Sequence, residues 1–262
     1  MTDDAHPFGI DFGGSGIKGA PVDLGTGEFA ADRTRIETPE GGRPEAVADV
    51  VAQLVEAGAA PGAPVGITVP GVVMHGVVRS AANIDKGWIG ADAVDLFARR
   101  LGHDVVVVND ADAAGLAEAR YGAARDQTGL VIMTTLGTGI GSALVYDGVL
   151  VPNSELGHLE IDGRDAESVA ANSARERDNL SWAEWAPLLT RYYRTVEFLF
   201  SPDLFVVGGG VSKHASKYLP LLDIRTPIVP AQLRNTAGIV GAAVLAAEAA
   251  RGETESTSTA QP

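Results

Sequence analysis

The sequence contains no cysteine. This absence excludes disulfide bonds, thiolate metal ligands and a cysteine nucleophile, and it fits a reducing compartment. No stretch approaches the roughly 20 apolar residues that a membrane-spanning helix needs, and the N-terminus lacks the basic start and apolar segment of a secretory signal. We therefore expect a cytoplasmic protein with no membrane partner.

Basic charge is also scarce. The chain of 262 residues has a formal net charge of −14, and only four of its residues are lysines. Binding to nucleic acid depends on broad basic surfaces that neutralise phosphates, so we expect no nucleic-acid partner. Three of the lysines, Lys18, Lys213 and Lys217, lie inside or just after glycine-rich segments. This placement suits a local site for a small anion.

One glycine-rich stretch occurs twice. The sequence GSGIKGAPV from Gly14 matches GTGIGSALV from Gly137 at the first, third, fourth, seventh and ninth positions. Each copy lies between two runs with strand composition, which predicts two glycine-rich β-hairpins. Without a Cβ in the way, backbone N–H groups can converge in such turns and form a nest that favours an anion.

Neither common nucleotide motif is present. A dinucleotide fingerprint opens a helix, and a Walker A loop needs the pattern GxxxxGK[ST], which this chain lacks. An ordinary tight turn is the alternative for a single copy, and the internal match disfavours it.

The rest of the chain predicts strands followed by helices, twice, and therefore an α/β protein with two related halves. Helical periodicity and stop signals predict helices at 44–57, 91–101, 111–121, 182–200 and 236–250. Ser181 and Glu184 form a capping box before the fourth of these helices, whose apolar stripe runs from Trp185 to Leu199. Strands are predicted at 29–36, 64–69, 103–109 and 204–207, with further extended pieces around Gly76.

Segments that could bind a ligand or take part in catalysis follow two of these strands. Asn109 and Asp110 lie at a strand end and a helix entry, where open α/β sheets commonly bind ligands. Helix capping by Asp110 is the structural alternative. Gly208 to Gly210, followed by Lys213, predict a third anion loop.

Five motifs in this order resemble the ROK family of sugar kinases: DFGGSGIKG from Asp11, VVND ending at Asp110, LGTGIG from Leu136, ELGH from Glu155 and VVGGG ending at Gly210. The resemblance implies an actin-like, ribonuclease H-like α/β fold of two lobes with duplicated mixed-sheet halves, and a sugar and a phosphate donor in the cleft. The implied domains are a small lobe at 1–108, a large lobe at 109–235, a C-terminal helix at 236–250 that packs on the small lobe, and a disordered tail at 251–262.

Family members carry a cysteine-rich zinc motif after the ELGH position, ending in a glutamate. Here the corresponding segment, Asp162 to Glu167, is short and cysteine-free, so we expect no zinc site. This departure is similar to the polyphosphate-using glucokinases of actinobacteria, as are the phrases NSELGHLEIDG and LFSPDLFVVGGGVSK. The resemblance implies transfer of a terminal phosphoryl group from polyphosphate to the C6 hydroxyl of glucose. An ATP-dependent glucokinase or glucomannokinase of this family is the alternative.

A third interpretation is a sugar-responsive regulator, because ROK-type repressors share the fold. Those relatives usually carry a helix-turn-helix domain before the first glycine motif, and here that motif begins about ten residues from Met1. We therefore disfavour a DNA-binding role.

The resemblance also implies roles for individual residues. Asp110 would be the catalytic base. The sugar would contact Asn83, Asn109, Asp110, Glu155, His158 and Glu167, although a purely structural histidine is the alternative for His158. The donor would contact Asp11, Gly13, Gly14, Ser15, Lys18, Gly137, Thr138, Gly139, Gly208, Gly209, Gly210 and Lys213. Asp11 would also hold Mg²⁺ through water, with polyphosphate or ATP as donor, and the family suggests a homodimer.

Overall fold

The fold is described from a computed structural model, which describes residues 5–81 and 84–258, with side chains through residue 252. The chain divides into two compact units, one formed by Met1–Ala117 with Thr236–Pro262 and the other by Glu118–Asn235. This division differs from the predicted lobes at one place, because the first part of the third helix belongs to the first unit.

Strands and helices alternate along the chain. The strands are β1 (Phe8–Gly13), β2 (Gly16–Asp23), β3 (Glu28–Phe29), β4 (Thr34–Ile36), β5 (Val65–Val69), β6 (Val73–Met74), β7 (Val77–Val78), β8 (Val106–Asn109), β9 (Leu130–Leu136), β10 (Ile140–Tyr146), β11 (Val149–Val151), β12 (Glu160–Ile161), β13 (Arg164–Asp165), β14 (Leu204–Gly208) and β15 (Ile228–Pro230). The helices are α1 (Pro44–Gly58), α2 (Ala93–Leu101), α3 (Asp110–Tyr121), α4 (Glu167–Ala170), α5 (Asn172–Arg177), α6 (Trp182–Phe200) and α7 (Ala237–Ser258). Short 3₁₀ helices occur at Glu40–Gly42, Lys86–Trp88, Leu156–His158, Gly210–Lys217, Leu219–Leu221 and Arg234–Thr236.

The first unit is built on a mixed sheet with the strand order β3-β2-β1-β5-β8, and β4 also pairs with β2. β1 and β2 form the predicted glycine hairpin, whose last pair is Gly13 with Gly16. β5 and β8 lie parallel to β1 and to each other in that order. Alternate side chains of β1 point into one core with the apolar face of α1: Phe8, Ile10, Phe12, Val47, Val51 and Leu54.

α7 approaches β1 and β5 so closely that glycine is required. A Cβ on Gly9 would overlap the carbonyl oxygen of Ile239, and a Cβ on Gly66 would overlap that of Ala242. The strands therefore meet the helix at backbone distance, and this contact joins the C-terminal helix to the N-terminal sheet.

α7 extends to Ser258, so the predicted helix end at residue 250 was wrong. The alanine-rich pattern continues the helix through Arg251, whose Nε donates to the carbonyl oxygen of Ala247 at 3.2 Å. The following Gly252 lies within the helix, where a single glycine costs only about 1 kcal/mol relative to alanine. Residues 259–262 of the predicted tail lie outside the described residues.

The second unit repeats the topology of the first. Its sheet has the order β11-β10-β9-β14-β15, with β9 and β10 antiparallel and with β9, β14 and β15 parallel. The path β10-β9-β14-β15 thus matches β2-β1-β5-β8 strand for strand. The duplicated mixed-sheet halves predicted from the repeated glycine stretch are therefore confirmed.

α6 supplies the main helical face of the second core. Ser181 and Glu184 form the predicted capping box, and Trp185, Leu189, Tyr192 and Val196 are buried. The predicted apolar stripe ends before Leu199, which is 54% exposed. The predicted apolar stripe was therefore too long by one turn, because the core that α6 packs into ends at Val196.

Two shorter segments also differ from the prediction. The predicted strand at 29–36 is split into β3 and β4, and both pieces pair with β2. The segment after Gly209 is a 3₁₀ helix, Gly210–Lys217. Among the described residues, no helix combines the length and apolarity that crossing a membrane requires.

Replacing Gly66 by alanine tests the close contact between β5 and α7. Because the added Cβ would overlap the backbone of Ala242, we expect Gly66→Ala to lower the free energy of unfolding by about 1–3 kcal/mol. Gly252→Ala is the matched control, because a Cβ there meets none of the described atoms within 4 Å. Chemical denaturation would measure both variants, and equal stabilities would show that α7 does not pack on β5 as described.

Candidate active site

In the first unit, the hairpin carries a fixed pair of opposite charges. Asp11 and Lys18 face each other across β1 and β2, and Lys18 Nζ lies 3.0 Å from Asp11 Oδ2. Buried Thr68 on β5 accepts from the backbone N–H of Phe12 at 3.1 Å, and its Oγ1 lies 3.4 Å from Asp11 Oδ1. Both charged side chains remain about one quarter exposed, at 22% for Asp11 and 24% for Lys18. They are ordered yet accessible to a ligand.

The turn of this hairpin is held through its carbonyl groups. Arg35 Nη2 donates to the carbonyl oxygen of Ser15 at 2.7 Å, and Thr38 Oγ1 donates to that of Gly13 at 2.6 Å. These bonds occupy oxygens that would otherwise repel phosphate. A Cβ on Gly14 would meet none of the described atoms within 4 Å, and Gly14 borders a cavity of about 370 Å³. The outer side of the turn is therefore open.

Asn109 and Asp110 both hydrogen-bond the start of α3. Asn109 caps α3, because its Oδ1 accepts from the backbone N–H groups of Ala111 at 2.8 Å and Asp112 at 3.1 Å. Its Nδ2 donates to the carbonyl oxygen of Gly71 at 3.1 Å, and the residue is buried. Asp110 is the first residue of α3 and is exposed. Asp110 Oδ1 also accepts from the backbone N–H of Ala111, at 2.9 Å, so the capping alternative for Asp110 stays open beside the catalytic prediction.

In the second unit, the equivalent hairpin is held in a similar way. Ser173, near the start of α5, donates its backbone N–H to the carbonyl oxygen of Gly137 at 3.0 Å and its Oγ to that of Thr138 at 2.5 Å. Gly137 donates its own N–H to the carbonyl oxygen of Gly139 at 3.0 Å. In this geometry the N–H group of Gly137 is already used inside the turn, whereas Ser173 holds the turn from its carbonyl side.

The predicted third anion loop lies against this hairpin. A Cβ on Gly209 would come 2.8 Å from the backbone nitrogen of Leu136, the residue before the turn. The neighbouring Gly208 pairs with Thr135 in the register of β14 with β9. The structure therefore brings Gly208 and Gly209 to the base of the loop Gly137–Gly139.

A carboxylate links the second hairpin to the ELGH segment. Glu167 Oε2 accepts from the backbone N–H of Ile140 at 2.9 Å, and its Oε1 lies 4.0 Å from His158 Nδ1. The 3₁₀ turn Leu156–His158 places Glu155 and His158 on one side, with Glu155 Oε2 3.9 Å from His158 Nε2. Three of the predicted sugar-binding residues are therefore neighbours.

Asp165 is the strongest partner of His158 and was missed by the sequence analysis. Its Oδ2 lies 3.0 Å from His158 Nδ1, which places a proton on Nδ1 and leaves Nε2 on the side of Glu155. Asp165 is itself held, because its Oδ1 accepts from the backbone N–H of Glu167 at 3.1 Å. An aspartate in the short cysteine-free segment was the available signal, but its pairing depends on the β12–β13 hairpin.

The environment shifts two ionisations in this cluster. The hydrogen bond with Asp165 raises the pKa of the His158 imidazole, with further contributions from Glu167 and Glu155 and an opposing effect of burial. Burial raises the pKa of the Glu155 carboxyl, with Glu167 acting in the same direction and His158 against it. The cluster therefore favours a protonated His158 among carboxylates that can accept from hydroxyl groups.

Two places among the described residues have side chains that could hold a metal ion. The Asp11 carboxylate supplies hard oxygen atoms of the kind that Mg²⁺ prefers, and its partial exposure leaves room for the waters that this ion keeps. Separately, ligand atoms of His158, Asp165 and Glu167 lie within 4.8 Å of one another, a spacing that a metal ion could use. The expected absence of a zinc site stays a prediction. Asn83 lies outside the described residues.

Comparisons with known proteins agree with these features. The sequence profile of the ROK family matches residues 7–171. A polyphosphate glucokinase of Mycobacterium tuberculosis is 53% identical over 244 residues, which cover 93% of this chain and 92% of that protein.

Two solved structures have the same fold. The inorganic polyphosphate/ATP-glucomannokinase from Arthrobacter sp. strain KM has a TM-score of 0.88 at 59% identity, covering 93% of this chain and 99% of that one. A ROK family glucokinase from Streptomyces griseus, in complex with glucose and AMPPNP, has a TM-score of 0.77 at 26% identity, covering 92% and 99%. The predicted fold class, the actin-like α/β fold of these sugar kinases, is confirmed.

Replacing Asp165 by asparagine tests the assignment of the His158 proton. The pKa of His158 is raised above its ordinary value of 6.5 chiefly by Asp165, so Asp165→Asn should lower it. A raised pKa also means that His158 stabilises the fold below pH 6.5, and that this contribution is lost as the pH rises through the raised value. NMR titration of the imidazole would measure the shift, with Asp162→Asn as control, because Asp162 pairs with Arg191 instead. An unchanged His158 titration in Asp165→Asn would contradict the contact.

Proposed function

The chain belongs to the ROK family, and we propose that it is a polyphosphate-dependent glucokinase. It would transfer the terminal phosphoryl group of inorganic polyphosphate to the C6 hydroxyl of glucose, giving glucose 6-phosphate. The main structural support for this proposal is the position of Glu167. One of its carboxylate oxygens accepts from the glycine hairpin, and the other faces His158. A group suited to sugar hydroxyls is thereby joined to a loop suited to phosphate.

Asp110 is the general base of this reaction. Its carboxylate accepts the proton of the C6 hydroxyl while that oxygen forms a bond to the terminal phosphorus. The bond between this phosphorus and its bridging oxygen breaks, and the polyphosphate chain leaves one phosphate shorter. Phosphoryl transfer depends mainly on positioning and charge stabilisation, so one aligned carboxylate meets the requirement for proton acceptance. The exposure of Asp110 at the start of α3 supports this role.

The sugar is oriented by the cluster around His158. Protonated His158 donates to a sugar hydroxyl, whereas Glu155 and Glu167 accept from others. Asn109 contributes through the second hydrogen of Nδ2, because its first is donated to Gly71. Asn83 is proposed as a further contact on the family resemblance.

The donor is held by the glycine loops, the charged pair Asp11 and Lys18, and Lys213. Backbone N–H groups of the two turns and the Lys18 ammonium neutralise phosphate oxygens. Mg²⁺, when bound, offsets donor charge, and Asp11 is the residue that would hold it through water. The residues proposed for the donor are Asp11, Gly13, Gly14, Ser15, Lys18, Gly137, Thr138, Gly139, Gly208, Gly209, Gly210 and Lys213.

Use of ATP beside polyphosphate, and of mannose beside glucose, is the second candidate. It is favoured by the 59% identity to a protein described as a polyphosphate/ATP-glucomannokinase. A homodimer is proposed from the family resemblance, and the exposed Phe198 and Leu199 at the end of α6 suit such an interface. The cytoplasmic location and the lack of nucleic-acid and membrane partners stay predictions.

A donor comparison tests the proposed function. The purified protein is given glucose at matched free Mg²⁺ with long-chain polyphosphate, with ATP, or with no donor. We expect glucose 6-phosphate with polyphosphate and none without a donor, measured by a coupled dehydrogenase assay. Product with ATP and none with polyphosphate would overturn the proposal in favour of an ATP-dependent kinase.

The variant Asp110→Asn tests the general base. Because general base catalysis typically contributes about 10²–10⁴-fold, kcat should fall by that order. Glucose binding, measured by calorimetry, should stay near the wild-type value. The control is Asp95→Asn, which alters an aspartate in the first turn of α2 that pairs with Arg99 on the surface. A kcat within about tenfold of wild type would remove Asp110 from this role.

A further inference from the structure

The described part of the second unit contains a cationic cluster around a single tryptophan. Three basic side chains lie around Trp182, and we call the four residues the Trp182 patch: Arg175, Trp182, His214 and Lys217. We propose that the Trp182 patch is a second binding subsite for the polyphosphate chain, beyond the phosphates that react. This inference rests on the proposed function. It assigns a binding place to the part of the polyphosphate chain that lies beyond the reacting phosphates.

The geometry of the patch is set by the indole ring. Arg175 Cζ lies 4.2 Å from the ring centroid, and Lys217 Nζ lies 6.0 Å from it. The His214 ring lies 5.5 Å from the indole, centroid to centroid. Fully buried Tyr218 stacks on Trp182 at 5.6 Å with an interplanar angle of 20°, so the indole has a rigid support. Lys217 is exposed beside this half-buried ring, whereas Arg175 is 19% exposed and donates to Asn172 Oδ1 and the carbonyl oxygen of Leu180, so Arg175 fixes the ring and Lys217 reaches solvent.

The charges in the patch act on one another. Besides burial, the positive charges of Lys217, Lys213 and Arg175 lower the pKa of the His214 imidazole, which places all three near that ring. An acidic group, Glu176, faces Arg175, with Glu176 Oε1 3.5 Å from Arg175 Nη2. The Glu176 side chain is 64% exposed, where such a pair contributes little. The local charge is therefore positive.

This concentration of cations is unusual for the chain. Lys217 lies in the patch and Lys213 lies four residues before it, so two of the four lysines fall in this short segment, although the formal net charge is −14. An acidic protein repels a polyanion at long range, but screening over about 8–10 Å at physiological salt lets a local cationic patch act on its own. Ammonium and guanidinium groups form charge-assisted hydrogen bonds with phosphate oxygens. Each repeat of a polyphosphate chain carries one phosphate that can accept such a bond.

Two elements lead from the second glycine loop to the patch. The first is α5, where Ser173 bonds the carbonyl oxygens of Gly137 and Thr138 and Arg175 follows two residues later. The second is the 3₁₀ helix Gly210–Lys217, which begins directly after Gly209 at the base of the same loop. Both segments that carry the cations therefore start at the loop proposed to hold phosphate. A long chain bound at this loop extends onto the patch, whereas a short donor does not reach it.

The experiment compares long-chain polyphosphate with tripolyphosphate in the variant Lys217→Gln, because Lys217 lies outside the residues proposed to hold the reacting donor. We expect the KM for the long chain to rise about threefold or more, and the KM for tripolyphosphate to stay near the wild-type value, as loss of one charge contact to the polymer predicts. The control, Arg194→Gln, removes the same charge from α6, where this arginine is paired with Asp223. Its ratio of the two KM values should equal that of wild type. Equal effects of the lysine variant on both donors, or the same ratio in the control, would overturn the subsite.

Direct binding separates the subsite from the proposed function. Trp88 and Trp185 are fully buried and Trp182 is half-buried, so long-chain polyphosphate added without glucose should change chiefly the fluorescence of Trp182. The change should be lost in Trp182→Phe and weakened in the lysine variant, and circular dichroism would verify that both fold. If wild type binds the long chain in this way yet phosphorylates no glucose, the subsite stands and the proposed function fails. If wild type is active with polyphosphate but the patch variants bind it normally, the subsite alone fails.

Discussion

The site depends on keeping a glycine turn rigid while leaving its outer side open. Glycine gives up more conformational freedom on folding than any other residue, so a glycine-rich turn needs support from elsewhere. In the first unit the support comes from Arg35 and Thr38, and in the second from Ser173, each bonding a carbonyl oxygen of the turn. These contacts fix the loop from its carbonyl side, where a phosphate would be repelled. They leave glycine in the place where a side chain would block an anion.

The duplicated architecture was predictable from the sequence because it depends on local pattern. Five identities between two nine-residue stretches, each flanked by strand-like runs, indicated two equivalent hairpins, and the sheets confirm this. The capping box of α6 was visible for the same reason, since Ser181 and Glu184 are close in sequence. The family motifs also placed Glu155, His158 and Glu167 together, and these residues are neighbours in the fold.

Contacts between distant segments could not be predicted in this way. Arg35 and Ser173 are unremarkable in sequence, and their roles exist only because the chain returns to the hairpins after 20 and 35 residues. Asp165 likewise acquires its partner through the short β12–β13 hairpin. Leu199 is exposed because the core ends at Val196, and helical periodicity does not encode where the core ends.

The central claim is that the glycine turns bind the phosphates of the donor through their backbone N–H groups. Amide ¹H–¹⁵N spectra, recorded during titration with tripolyphosphate and Mg²⁺ in the absence of glucose, test it most directly. The account predicts the largest shifts at Gly14, Ser15, Thr138 and Gly139, with a smaller shift at Gly137, whose N–H is already donated to Gly139. Saturable binding that leaves the amides of both turns unshifted would contradict it.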